Sequence, residues 1–157
     1  MSPRLNLLIQ ISAVLVFAAF RLAAPGWGLL LLVLSVVGLF VMLLPTILAA
    51  ATVRRPRLTG LVAVPFLGCA ASLVVAGALF PDGDDQRSST PLLKILGIDG
   101  DVNGPLTVIG GVSVLVFLLF TALTPVAVGV TAANPATTPR RSPPAASRPA
   151  SRVAVSR

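Results

Sequence analysis

Histidine and tyrosine are absent from this 157-residue chain, and cysteine, lysine and tryptophan each occur once. The acids are five aspartates, with no glutamate. These gaps remove chemistry. Without histidine there is no imidazole for haem, for a serine–histidine nucleophile pair or for a catalytic zinc. The single thiol, Cys69, closes no internal disulfide and supplies at most one zinc ligand. Charged side chains make up 11% of the chain, whereas a soluble domain carries about 25%.

What the chain has in quantity is hydrocarbon. Apolar residues reach 55% and the mean hydropathy is +0.96, so the membrane class comes first. The apolar residues gather in four runs, at about 5–24, 27–53, 58–80 and 106–131. Each is at least as long as the roughly 20 residues that an α-helix needs to cross a 30 Å hydrocarbon core. Arg21, near the end of the first run, is the one ionised side chain inside them, and the reading has it snorkel to the interface. The expected fold class is all-α: an integral membrane four-helix bundle over residues 1–133 with a disordered C-terminal tail. A rival reading treats the first run as a cleaved signal peptide with Arg4 as its basic flank, which leaves three spans.

Charge sets the direction. Arg4, Arg54, Arg55, Arg57, Arg140, Arg141, Arg148, Arg152 and Arg157 flank one side of the spans. The other side holds Arg21, Arg87, Lys94 and all five aspartates. Basic flanks favour the cytoplasm, so both termini are expected there, in the cell membrane. The net charge of +7 is spread between and beyond the apolar runs, so nucleic acid is not an expected partner.

The connections around 24–26 and 54–57 are short and make neighbouring runs antiparallel. The one sizeable loop, 81–105, opens on an acidic turn. Thr90-Pro91 then starts either a short surface helix over Leu92 to Ile98 or a loop packed on the span ends. Residues 134–157 are rich in Pro, Ser and Arg and lack hydrophobic periodicity, so they are expected to be disordered. Their arginines suit anionic lipid headgroups.

Three local patterns bear on function. Asp99, Asp101 and Asn103, followed by Gly104, match the first half of a calcium loop. Pro105 and Gly110 stand where that loop needs its seventh ligand and its closing glutamate. Gly68, Ser72 and Ala76 recur every four residues and allow close helix approach. Ser35 with Gly38, and Gly110 with Gly111 and Ser113, form lesser notches. Finally, Pro45, Pro65 and Pro125 lie at similar depth in three spans, with Thr46 and Thr124 beside two of them. Each proline releases a backbone carbonyl, which suggests a polar vestibule open to the cytoplasm.

Proton-coupled transport calls for an ionisable group within the bilayer. Small four-span drug exporters rely on a glutamate in the first span, where this chain offers only Asn6, Gln10 and Ser12. No motif identifies a family. The expectation is a multi-pass membrane protein with no enzymatic activity and no cofactor, an accessory subunit or scaffold for another membrane protein. The alternative is a small channel, holin-like pore or transporter built from several copies.

Overall fold

The computed structural model describes residues 1–23, 34–54, 58–84, 87–98 and 104–133. Four long apolar helices dominate: α1 (Pro3–Ala23), α2 (Val36–Ala51), α3 (Gly60–Leu79) and, after the loop elements, α5 (Pro105–Ala133). Three of them, α1, α3 and α5, are long and apolar enough to cross a membrane. By length and composition, these are the helices of a membrane protein. At 16 residues, α2 spans about 24 Å, which is short of a full crossing. The start of the second run, 27–33, lies outside the described residues, as do the expected tight turn around 24–26, positions 55–57 and the tail from 134 onward.

The helix starts follow local chemistry. The Ser2 hydroxyl accepts from the Leu5 amide at 3.2 Å, and Pro3 takes the first helical position, where no amide hydrogen is needed. In the second run an apolar stretch hides a real break. Ser35 is non-helical and its hydroxyl accepts from the Gly38 amide at 3.0 Å, so it caps α2 rather than acting as a packing notch. Hydropathy does not register such a cap, because Ser35 is one mild polar residue among leucines and valines.

The loop holds two small elements. A ribbon of β1 (Asp82–Asp84) and β2 (Arg87–Ser89) pairs antiparallel, Asp82 opposite Ser89. It is a minor departure from the all-α expectation and falls where only an acidic turn was read. Of the two readings of the segment after Thr90, a helix is present as the short α4 (Pro91–Ile95). It closes on Gly97 at φ +66°, with Ile98 donating to the Leu93 carbonyl and Gly97 to that of Lys94. This is the paired closure that favours glycine at the left-handed position. Pro91 is buried, while Ile95, Leu96 and Ile98 are exposed.

The core is centred on α3. Half of its apolar window is buried, against 22% of α1 and 17% of α5. It packs most extensively on α5, then on α1. One buried cluster joins Ala13, Cys69, Ala70, Leu73 and Phe117 in mid-bundle. A second joins Ala49, Leu58, Val62, Phe66 and Ala127, with Met1 and Leu7 against it. That cluster and the Leu58 amide bonded to the Met1 carbonyl at 3.1 Å bring Met1, the end of α2, the start of α3 and the final turns of α5 to one end of the bundle. The small-residue face works as a contact. A Cβ on Gly68 would lie 2.5 Å from the Phe120 ring, and one on Gly110 would lie 2.5 Å from the Leu79 backbone.

Gly68→Ala is therefore expected to cost about 1–3 kcal/mol, the usual penalty of overpacking. Gly111→Ala, where nothing lies within 4 Å of the added carbon, should change stability by less than about 0.5 kcal/mol. Thermal loss of helical circular dichroism in detergent compares the two. Equal midpoints would rule out the close α3–α5 contact.

Candidate functional site

The polar side chains of the long helices form a buried seam. Gln10 on α1 is the clearest member. Its Nε2 donates to the Phe66 carbonyl of α3 at 2.7 Å, and the side chain is buried. An amide this deep needs an acceptor, and the helix turn beside Pro65 supplies it. On the far side of α3, the Cys69 sulfur lies 3.6 Å from the Thr121 hydroxyl and 3.8 Å from that of Thr124, both on α5. Thr124 also donates to the Phe120 carbonyl at 2.7 Å. Ser72 turns back on its own helix, donating to the Gly68 and Cys69 carbonyls at 2.6 and 3.2 Å.

Two residues nearer the chain termini differ. Asn6 is fully buried, and neither its Oδ1 nor its Nδ2 has a hydrogen-bond partner among the described residues. The Thr46 hydroxyl is also buried without one. A buried amide left unpaired costs free energy that a bonded one does not.

The vestibule residues are thus only partly assembled. Pro45, Pro65 and Thr124 are buried, but Pro125 is exposed. Thr124 is joined to Cys69, while the Thr46 hydroxyl has no partner among the described residues. Toward the chain termini lies the apolar cluster of Ala49, Leu58, Val62, Phe66 and Ala127. Of the packing residues, Gly68 meets Phe120, and Ala76 offers its carbonyl to α1.

The α1 donor to Ala76 is Arg21, which does not snorkel free of the bundle. It is 5% exposed. Its Nη2 donates to the Ala76 carbonyl at 3.4 Å, and its guanidinium sits 5.6 Å from the Phe17 ring centroid and 5.4 Å from that of Phe80. Both distances suit cation–π attraction.

The calcium candidates Asp99, Asp101 and Asn103 lie outside the described residues. Gly110, at the position of the closing ligand, is inside α5 against the Leu79 backbone. Among the described residues no group of three or more His, Cys, Asp or Glu side chains could hold a metal ion. The presence of Gln10 and Cys69 in apolar runs was visible in the sequence. Their partners were not, since the Phe66 carbonyl and Thr121 are chosen by how the helices rotate. No protein-family model, no curated protein and no solved structure matches this chain.

The two amides make opposite predictions. Gln10→Leu removes a made bond and should lower stability by about 0.6–1.7 kcal/mol, the range for hydrogen bonds between membrane helices. Asn6→Leu removes an unpaired group and should raise it by about 1 kcal/mol. Detergent unfolding of both variants reads the sign directly. A loss from Asn6→Leu would mean that the amide has a partner.

Proposed function

We propose that the chain crosses the cell membrane four times, with both termini cytoplasmic, and acts as a non-catalytic accessory subunit or scaffold. The fourth crossing is the second apolar run, 27–53, to which α2 belongs. The direction follows from nine basic residues on one side against five aspartates on the other. The basic tail supports a further contact, with anionic headgroups on the cytoplasmic face.

The observation that carries the subunit reading is on α5. Val108, Val112, Leu115, Leu119, Val126 and Val130 are all exposed and follow one another at helical spacings of three, four or seven. They make a single apolar stripe along one face. The polar groups of the seam, meanwhile, are largely engaged within the bundle: Gln10, Cys69, Thr121 and Thr124 link helices, and Ser72 bonds its own helix. A protein organised this way acts through its surface. Native mass spectrometry after mild extraction should find it in complex with a different membrane protein. The double variant Leu115→Ala with Leu119→Ala should weaken that complex at least about tenfold and leave helicity intact. A chain that remains monomeric in every mild detergent would end this reading.

The second reading, an oligomeric channel, holin-like pore or transporter, is supported by Asn6 and Thr46, whose buried polar atoms have no partners among the described residues. Water fills such gaps when a path reaches them. On a Cys69→Ala background, Thr46→Cys and Thr124→Cys should then react with a water-soluble thiol reagent from the cytoplasmic side, and planar bilayers should show conductance. Silence in both assays would sink the pore.

A further inference from the structure

The segment after the ribbon carries a group of exposed apolar side chains. Ile95 is 53% exposed, Leu96 59% and Ile98 52%. A single exposed leucine needs no explanation, but three such residues within four positions do. Their place is fixed from both sides. Asp82 pairs with Ser89 across the ribbon, and paired residues lie about 5 Å apart, so the chain at Thr90 returns to where α3 ends. Thr90 and Pro91 are buried, and α4 packs on both α1 and α3. Arg21, in the last turn of α1, reaches the Ala76 carbonyl near the end of α3, so those two helices end at one level. The exposed group therefore stands at the end of the bundle away from Met1. Beyond α4, Gly97 at φ +66° and the bond from the Ile98 amide to the Leu93 carbonyl hold it in a built turn rather than a frayed end.

We propose that Lys94 to Ile98 form a foot seated in the lipid leaflet away from the chain termini. Ile95, Leu96 and Ile98 occupy the boundary between headgroups and acyl chains, and Lys94 lies at the phosphates. The proposal rests on the membrane reading above. Lipid is the occupant for two reasons. First, the neighbouring surface is already of the kind that hydrocarbon coats. Leu8, Ile11, Leu15 and Leu22 of α1 are exposed at spacings of three, four and seven, which is one helix face. Leu22 belongs to the last turn of α1, so hydrocarbon along that face reaches the level of the foot. Second, the patch is small. Three half-exposed side chains offer far less than the roughly 800 Å² per partner that a stable protein contact buries. Seating in a leaflet needs no such area, because the spanning helices hold the foot in place. Lys94 is exposed beside them, and a lysine stem lies along apolar surface while its ammonium stays at the headgroups. The foot thus ties the outer loop to the bilayer and sets the depth at which α1 and α3 end.

The test uses the full-length chain with Trp27→Phe and Leu96→Trp, reconstituted at one copy per phosphatidylcholine nanodisc. Trp27 is the sole native tryptophan, so the ring at position 96 reports alone. Bromine on the acyl chain near the glycerol should quench it about twofold more than bromine near the methyl end, as a seat only about 5–10 Å deep requires. Aqueous iodide should quench it far less than it quenches tryptophan free in solution. Adding Ile95→Ser and Ile98→Ser should move the ring out of the lipid, so that bromine quenching falls and iodide quenching rises. Circular dichroism checks that each variant keeps its helices. If the serine pair lowers helicity, Leu96→Trp alone still decides through the two quenchers. Strong iodide quenching of Leu96→Trp would place the segment in water. Protection from both quenchers would place the ring against protein. Protection that appears only with two copies per disc would make the face a self-contact. Each of these results overturns the proposal. Failure of the membrane reading would show separately, as a chain that stays in solution without detergent.

Discussion

The close approach of α3 to α5 is the constraint on which the bundle depends. In hydrocarbon, apolar side chains gain little by leaving lipid for one another, so helices hold together through tight packing and a few polar bonds. Gly68 makes room for the Phe120 ring, and Gly110 makes room for the backbone where α3 ends. The two contacts are eleven residues apart on α3 (Gly68 and Leu79), or about 16 Å. Two points that far apart fix the rotation of the helices as well as their distance. That rotation turns Cys69 toward Thr121 and Thr124, the Phe66 carbonyl toward Gln10, and the Ala76 carbonyl toward Arg21.

The interior is graded from end to end. In the apolar middle the few polar groups are satisfied, with hydroxyls, a thiol and one amide bonded to helix backbone or to each other. Toward the chain termini, Asn6 and Thr46 hold buried polar atoms without partners among the described residues. At the opposite end a single guanidinium sits between aromatic rings above an apolar cavity. A helix bundle that served only to fill membrane would have no need of such a gradient.

The long helices were legible in the sequence to within two residues at most ends. The runs 5–24, 58–80 and 106–131 became Pro3–Ala23, Gly60–Leu79 and Pro105–Ala133. Run length is a one-dimensional property, and bilayer thickness reads it directly. The second run was less legible because Ser35, the cap of α2, looks unremarkable among its apolar neighbours. The spacing of Gly68, Ser72 and Ala76 was legible, but the three do different things: Gly68 meets the Phe120 ring, Ser72 bonds its own helix and Ala76 offers its carbonyl to Arg21. The partners were not legible. Arg21 appeared bound for the interface, since its aromatic clamp combines Phe17, one turn back, with Phe80 from another helix. The cavity draws its walls from four helices, and the alignment of three prolines by depth did not show that Pro125 faces outward. Each of these depends on helix rotation, a quantity that spacing along one run does not contain.

The centrality of α3 also gives the chain a history. Synthesis runs from the N-terminus, so α3 enters the membrane with α1 already available but with its principal partner unmade. Some 25 residues, the whole of the ribbon and α4, must be translated before Pro105 begins α5. Throughout that interval the groove at Gly68 stands open to whatever is nearby, lipid or a neighbouring helix. The last helix to arrive is therefore the one that seals the structure. The moment of its arrival divides a loose, adaptable assembly of earlier helices from a locked one.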